Sequence, residues 1–269
     1  MLIETLSTFP HMYDSVMGES MMKRAQEKGI LEFRAHDLRD WTHDRHRTTD
    51  DDPYGGGAGL VMKCDPIFEA VEAILGKEFV EAKLASAAEE SQQHRPQIVF
   101  LAPQGRPFDD AYADKLAAAD HLLFICGHYE GIDERVYTLA DHVISLGDYV
   151  LTSGELASMV VIDAAVRKLP GVLGAAEGPV DESFTSGLLE YPQYTRPADF
   201  RGMAVPEVLT SGNHAAIARW RREQSLARTA AARPDLIAAA EAAGRLTPAD
   251  QKFLKLLEPA PTGAAEGVS

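Results

Sequence analysis

"ISLGDYVLTSGEL", residues 144–156, joins a short apolar run to a helical pattern through a loop that contains two glycines. Glycine is favoured where the backbone turns sharply or approaches another group closely. Thr152 and Glu155 are spaced as a capping box, which predicts a helix from about Ser153 to Lys168. The pattern places five apolar side chains on the buried side of this helix: Leu156, Met159, Val160, Ile162 and Val166. The stretch is therefore predicted to contain the end of a strand, a loop in close contact with another group, and a buried helix.

Strands and helices are predicted to alternate along the first half of the chain. Five apolar runs are typical of strands: "LIETLSTF", "ILEFRAHDL", "QIVFLAP", "HLLFICG" and "HVISLG". Helical patterns separate them, including one from about Met12 to Lys28 and "IDERVYTLAD" at residues 132–141, which predicts an α/β fold with a parallel sheet covered on both faces. Ligands of such sheets bind beyond the carboxyl ends of the strands. We therefore expect one site formed by three loops that follow strands, "APQGR", "CGHYEG" and "LGDYVLTSG".

The second half of the chain has a different composition. About thirty residues rich in Gly, Pro, Ser and acid follow the helix, and three helical patterns come after them, at about 215–231, 234–243 and 248–257. A long stretch without secondary structure is usually functional or a linker. The sequence therefore predicts four parts: an α/β domain over 1–168, a flexible linker over 169–201, a small all-α domain over 202–257 and a disordered tail over 258–269.

The charge is unevenly distributed. The chain has 269 residues and a net charge of −15, which taken alone argues against a polyanionic partner. Charges act only over about 10 Å at ordinary salt, however, so local clusters matter. Residues 219–233, "RWRREQSLARTAAAR", carry five arginines and one acid. This segment is either a basic binding face or a solvated helix surface.

The composition excludes some classes of protein. The chain has no run of eighteen apolar residues, so we expect no membrane span. The first residues lack a basic region and a cleavage site, so we expect a cytoplasmic protein. Cys64 and Cys126 cannot form a zinc site by themselves and need not pair in a reducing compartment.

A glycine-rich string, "DDDPYGGGAGLVMK", occupies residues 50–63. It lacks the Gly-Lys-Ser/Thr of a P-loop, and no strand is predicted to lead into it, so neither nucleotide-binding fingerprint applies. We expect a flexible clamp over a substrate, and a plain glycine turn is the alternative.

Several motifs occur in the same order as in a known family. These are "DDDPYGGGAG", "LAPQGRPF", "CGHYEGIDERV", "GDYVLTSGELASMVVIDAAVR", "PGVLG", "LLEYPQYTRP" and "SGNHAAIARWRREQSLART". Together they closely resemble the bacterial tRNA (guanine-N1)-methyltransferases, over most of the chain from Met1 to about Pro234. The resemblance implies the SPOUT class of α/β fold with a deep trefoil knot. It also implies a homodimer whose active site is shared between the subunits.

The resemblance further implies a methyl donor and its site. S-adenosyl-L-methionine would lie in a bent shape among the three loops, where glycine leaves the backbone accessible. Glu130 could accept from a ribose hydroxyl or offset the positive charge of the sulfonium. The implied cofactor-binding residues are Leu101, Pro103, Gly127, Tyr129, Glu130, Gly131, Leu146, Gly147, Asp148, Tyr149, Val150, Leu151 and Gly154.

Methylation of guanine N1 requires a base, because N1 carries a proton. The adjacent N1–H and amine of guanine match an acceptor-only carboxylate. The family's general base is the aspartate of a Glu-Asp-Ser motif in the linker. This chain has the first two residues in the inverted order, Asp181-Glu182-Ser183. Glu182 takes the family position without a gap, and Asp181 is the alternative. Both could instead merely solvate the linker.

The resemblance implies further substrate contacts. Arg167 could hold guanine O6, or it could pair with Asp163 one helical turn away. The implied substrate-binding residues are His46, Gly57, Gly59, Glu190, Arg219, Arg221 and Arg222. The partner would be tRNA, methylated at the guanosine immediately 3′ of the anticodon, and Mg²⁺ is a candidate cofactor without an assigned ligand set. The alternatives are a SPOUT methyltransferase for another RNA nucleotide and a non-catalytic RNA-binding module.

Overall fold

The computed structural model describes residues 1–85, 95–173 and 182–257. The chain divides into two compact units, Met1–Gly178 and Pro179–Ser269. Asp181 and the predicted tail over 258–269 lie outside the described residues.

The first unit is built on a parallel sheet. Its strands are β1 Leu2–Ser7, β2 Glu32–Asp37, β3 Asp50–Asp51, β4 Val61–Met62, β5 Gln97–Pro107, β6 His121–Ile125 and β7 His142–Ser145. Its helices are α1 Asp14–Met17, α2 Ser20–Glu27, α3 Cys64–Leu75, α4 Lys77–Ala85, α5 Asp110–Ala117 and α6 Gly154–Val166. The five longer strands lie in the order β2-β1-β6-β5-β7, all parallel, while β3 and β4 form a separate antiparallel pair. The predicted α/β class and its parallel sheet are therefore confirmed, and the knot stays a prediction.

The sheet is covered on both faces, because side chains alternate along each strand. Ile3, Val99 and Phe124 face one buried cluster, which includes α5 and α6. The sequence neighbours of Val99 and Phe124 face the opposite cluster, which is covered by α3. Central strands buried on both faces read as continuous apolar runs, and this is why the sequence revealed them.

Two predicted helices are wrong in detail. The single helix predicted from Met12 to Lys28 is instead three short elements. A 3₁₀ turn at Pro10–Tyr13 is followed by α1 and α2, and Gly18 caps the end of α1. The pattern before β7 is a 3₁₀ helix, Glu134–Leu139.

The start of α6 also differs from the prediction. Its N-cap residue is Ser153, without a side-chain capping bond, and the Glu155 carboxylate points into the interior. The predicted capping box is therefore wrong. Leu156 and Val160 are 47% and 54% exposed, so two of the five side chains predicted to be buried lie on the surface. An α-helix that is apolar on every side cannot show from its sequence which side faces the core.

The second unit is mainly helical. Its helices are α7 Glu207–Thr210, α8 His214–Ala232, α9 Pro234–Ala242 and α10 Pro248–Leu257. Asn213 caps α8 by accepting from the Ala216 amide at 3.1 Å. The expectation of an all-α unit is corrected by an antiparallel strand pair, β8 Asp199–Phe200 and β9 Met203–Ala204.

A segment within the predicted linker packs on this second unit. Leu188 is buried with Leu226, Ala240 and Leu246. The Leu189 amide donates to Thr229 Oγ1 of α8 at 2.9 Å. Across the described ranges of the two units, no helix is both long and apolar enough to cross a membrane.

Candidate cofactor and substrate site

Three loops form a pocket at the carboxyl edge of the sheet. Because β6, β5 and β7 are neighbours and parallel, the loops that follow them meet. The pocket has a volume of about 320 Å³, at the lower end of the range for small-molecule sites. Twelve of the thirteen residues predicted to bind the cofactor line it: Leu101, Pro103, Gly127, Tyr129, Glu130, Gly131, Leu146, Gly147, Tyr149, Val150, Leu151 and Gly154. Asp148 is exposed and does not line the pocket, and its contact with the cofactor stays a prediction.

Two of the loops touch through their backbones. The Gly154 amide donates to the Gly127 carbonyl at 2.8 Å, and His128 and Ser153 form an isolated antiparallel bridge. A Cβ atom at Gly154 would lie 2.8 Å from the Gly127 nitrogen and 3.0 Å from the Cys126 Cα atom. At such distances the Cβ atom would clash with the backbone of Gly127 and Cys126, which is held in the fold and cannot move away. Only glycine therefore fits at position 154. This contact is the close approach that the sequence of the loop indicated.

The third loop is an irregularity in β5. Leu101 and Arg106 both pair with Ile144 of β7, so the residues between them loop out of the sheet as a bulge. A Cβ atom at Gly105 would lie 2.5 Å from the Ile144 backbone, so the chain closes this bulge where there is no side chain. The bulge directs Pro103 and Gln104 into the pocket wall.

A buried polar cluster lies beside the loop contact. Ser7 Oγ donates to Glu155 Oε1 at 2.5 Å, and the other carboxylate oxygen has no partner among the described residues. Tyr13 hydroxyl bonds Ser158 Oγ at 2.6 Å and lies 3.0 Å from Cys126 Sγ. These bonds join the end of β1, the end of β6 and the first turns of α6.

Neither cysteine is suited to covalent catalysis. Burial, reinforced by the Glu155 carboxylate, raises the pKa of Cys126 to about 12. Burial also raises the pKa of Cys64. Because the thiolate is the nucleophile, both side chains stay in their unreactive protonated form near neutral pH.

The glycine-rich string lies against the β6 loop. The Glu130 amide donates to the Leu60 carbonyl at 3.1 Å, and the Met62 amide donates to the Gly131 carbonyl at 2.9 Å. Gly59 faces the Glu130 side chain so closely that an added Cβ atom would overlap it. The first two residues of the string form the short strand β3, which pairs with β4 near the end of the string.

Three residues of the first unit that were predicted to bind substrate, His46, Gly57 and Gly59, are not in the pocket lining. Gly57 faces Pro53, whose Cγ would be 3.8 Å from an added Cβ atom. His46 is exposed, and its amide donates to the Asp44 carboxylate at 3.0 Å.

The predicted substrate residues of the second unit lie along one helix and one segment. Arg219 is exposed on α8, and the Arg221 guanidinium lies 4.8 Å from the centre of the Tyr191 ring. Arg222 makes two bonds to Asp250, at 3.0 and 2.9 Å, and so is engaged within this unit. This ion pair lowers the pKa of Asp250 to about 2.

The predicted catalytic residues are divided between the units. Glu182 is partly exposed in the second unit, and the Glu190 amide donates to Ser183 Oγ at 2.9 Å. Arg167 follows α6 in the first unit, where its amide donates to the Asp163 carbonyl at 3.1 Å.

Comparison with known proteins identifies the family. The family model described as "tRNA (Guanine-1)-methyltransferase TrmD" matches residues 1–239. The chain belongs to this family. A tRNA (guanine-N(1)-)-methyltransferase of Limosilactobacillus reuteri is 52% identical, with 90% of this chain and 91% of the relative aligned. Proteins of the same name from Geotalea uraniireducens and Symbiobacterium thermophilum are 50% and 51% identical, covering 96% and 95% of this chain and 97% of each relative. The resemblance drawn from the motifs is confirmed, and so is the expectation of a methyltransferase.

The sequence missed several residues that line the pocket of this family member. They include Ile132, Glu134 and Tyr137. Glu134 and Tyr137 come from the 3₁₀ helix that was predicted as an ordinary helix, so their direction could not be deduced from helical periodicity. Glu134 adds a second carboxylate to the lining, beside Glu130.

A metal site does not stand out in the described ranges of the chain. Within 1–85, 95–173 and 182–257, no three His, Cys, Asp or Glu side chains are grouped so that they could hold an ion. Magnesium therefore stays a prediction without ligands.

The contact between Gly59 and Glu130 can be tested with a matched pair of variants. Gly59 and Gly56 both have positive φ, +85° and +76°, but an added Cβ at Gly56 meets nothing within 4 Å. We expect Gly59→Ala to displace Glu130 and to weaken S-adenosylmethionine binding on the order of tenfold to a hundredfold, the value of a hydrogen bond to a charged group. Gly56→Ala carries similar backbone strain and should change the affinity by about twofold at most. Isothermal titration of both variants measures this. Equal losses would assign the effect to backbone strain and not to Glu130.

Proposed function

We propose that this protein transfers the methyl group of S-adenosyl-L-methionine to N1 of the guanosine immediately 3′ of the tRNA anticodon. The observation that carries the proposal is the three-loop pocket, whose glycine backbone and two carboxylates suit this cofactor, in a chain of this family. Leu101, Leu146 and Ile144 offer apolar surface to an adenine, and Glu130 and Glu134 can accept from ribose hydroxyls or face a sulfonium. The trefoil knot is part of this proposal, with the loops as its walls.

When bound, the cofactor supplies an electrophilic methyl group on a positively charged sulfur. A guanine N1 that keeps its proton has no lone pair for that methyl group. Glu182 would accept the proton of guanine N1, and the lone pair freed on N1 would take the methyl group that the cofactor would supply, leaving a neutral thioether. Arg167 offsets the negative charge that deprotonation places on guanine O6.

Glu182 is preferred to Asp181 as the base because it takes the position of the family's aspartate without a gap. Its side chain is one methylene longer than aspartate. A carboxylate misplaced by about 1 Å can lower the rate on the order of a hundredfold. The backbone at Glu182 must therefore lie further from the guanine than the backbone of an aspartate would. Glu190 also stands where the family has an aspartate, and we propose that it contacts the same guanine.

The protein is proposed to act as a homodimer, with an active site shared between the subunits. An apolar surface in the first unit supports this. Val150 is 84% exposed, and Leu156 and Val160 lie one turn apart on the exposed side of α6. Large apolar side chains that are exposed close to one another, as Leu156 and Val160 are, are typical of interaction surfaces.

The second unit is proposed to bind tRNA. Arg219 and Arg221 would contact phosphates, and the affinity should then fall as salt rises. Arg222 was assigned the same role, but its pair with Asp250 supports a role in holding α8 to α10. His46 and Gly57 remain proposed contacts from the first unit, and Mg²⁺ remains a candidate that would balance the charge of the tRNA. We place this activity in the cytoplasm.

The reaction can be tested by mapping its product. The protein is incubated with labelled S-adenosylmethionine and unmodified tRNA transcripts, and the modified nucleotide is located by nuclease digestion and mass spectrometry. We expect one methyl group, on N1 of the guanosine 3′ of the anticodon. Methyl transfer to another nucleotide would contradict the assigned substrate position, and cofactor binding without any transfer would contradict the assigned reaction.

The base can be tested by removing one carboxylate at a time. We expect Glu182→Gln to lower kcat by about 10²- to 10⁴-fold, the usual contribution of a general base, with the affinity for S-adenosylmethionine unchanged. Asp181→Asn should keep most of the activity. Glu241→Gln, which changes an exposed acid elsewhere in the second unit, serves as the control. The assignment is wrong if Asp181→Asn is the variant that loses turnover.

A further inference from the structure

The second unit contains a cavity whose lining includes Arg221 and several aromatic side chains that have no assigned role. It has a volume of about 400 Å³ and lies between the segment 191–198 and the first half of α8. Tyr191, Tyr194, Ile217, Trp220 and Arg221 line it, and we call it the aromatic pocket.

The rings of the aromatic pocket are not stacked on each other. The Tyr194 and Trp220 ring centres are 6.3 Å apart, and the ring planes are inclined at 53°. Tyr194 is 48% exposed. Neither ring therefore covers the face of the other, and an inserted flat group could stack on one of them.

An arginine is held at the side of this pocket. The Arg221 guanidinium lies 4.8 Å from the centre of the Tyr191 ring, which is the geometry of a cation–π contact. This contact fixes the long side chain, so its remaining N–H donors stay close to the cavity. Arg196 also lines the cavity and is exposed.

The charge around the pocket has the opposite sign to that of the whole chain. Residues 191–221 contain four arginines and two carboxylates, whereas the chain has a net charge of −15. A positive segment in an acidic protein favours an anionic partner at this place. Exposed aromatic rings beside arginines are the combination with which proteins hold single-stranded RNA, through base stacking and phosphate contacts.

We propose that the aromatic pocket receives one unpaired base of the tRNA, different from the guanosine that is methylated. Trp220 stacks on the base, and Arg221 binds the adjoining phosphate. This inference rests on the proposed function, because it takes tRNA as the substrate. It adds a second anchoring point on the RNA, within the unit that carries Glu182, and this point would fix the register of the RNA relative to that carboxylate.

Stacking can be tested with a double-mutant cycle between protein and RNA. One tRNA transcript is made for each unpaired nucleotide, with the base removed at that position and the accepting guanosine left intact. The kcat and KM of methyl transfer are measured with the unaltered protein and with Trp220→Ala. We expect one position where base removal and Trp220→Ala each raise the KM for tRNA, by roughly fivefold to a hundredfold, and where the two changes together do little more than either alone. The kcat at saturating tRNA should change far less, and Trp220→Phe should restore the KM.

A second measurement does not require loss of the tryptophan. The chain has two tryptophans, Trp41 and Trp220, so Trp41→Phe leaves Trp220 as the only indole. We expect tRNA to quench its fluorescence, and the transcript that lacks the critical base to bind without the same quenching. The converse variant, Trp220→Phe, reports from Trp41 in the other unit and should show no such dependence on that base.

The outcomes separate this inference from the proposed function. If the unaltered protein methylates the expected guanosine but the effects of Trp220→Ala and base removal are additive at every position, the aromatic pocket does not bind a base. Unchanged fluorescence of Trp220 on tRNA binding would overturn it as well. If Trp220→Ala alters the oligomeric mass in the absence of tRNA, the pocket serves a protein contact and the inference is wrong. Absence of methyl transfer by the unaltered protein would instead refute the proposed function.

Discussion

The Gly154 amide donates to the Gly127 carbonyl at 2.8 Å, and the shape of the first unit's pocket depends on this contact. It brings the loop after β6 against the start of α6 with no side chain between them. The cluster of Ser7, Glu155 and Ser158 lies directly behind and ties α6 to the end of β1. A pocket built this way is preorganised, because its walls are held by backbone bonds and not by mobile side chains.

The two units contribute different chemistry. The first contains the pocket that we propose for the cofactor, and the glycine-rich string lies against Glu130 at its edge. The second supplies a helix with exposed arginines and the segment that follows Glu182. Methyl transfer from a sulfonium to a ring nitrogen needs both a fixed donor and a correctly placed base, and an error of about 1 Å in either is costly. Anchoring the RNA on the unit that carries the base would restrict that error.

The sequence revealed the sheet because its strands are apolar on both faces, and it revealed the three loops because glycine interrupts these runs at the same end of each strand. The sequence could not predict the bulge in β5. Pro103 and Gly105 are typical of an ordinary turn, and the bulge depends on pairing with Ile144, which is distant in sequence. The exposed Leu156 and Val160 were mispredicted because the sequence of a helix that is apolar on every side does not show which side faces the core. The role of Glu155 was missed because its spacing from Thr152 imitates a cap, while its carboxylate bonds Ser7, which is 148 residues away.

Hydrogen–deuterium exchange of the intact protein, with and without S-adenosylmethionine, tests the cofactor assignment most directly. We expect the cofactor to slow exchange in residues 126–131 and 146–154, where pocket-lining backbone becomes shielded from water, and to leave α8 to α10 unchanged. Protection confined to the second unit, or no protection of these two loops at a saturating cofactor concentration, would contradict a donor site at the carboxyl edge of the sheet.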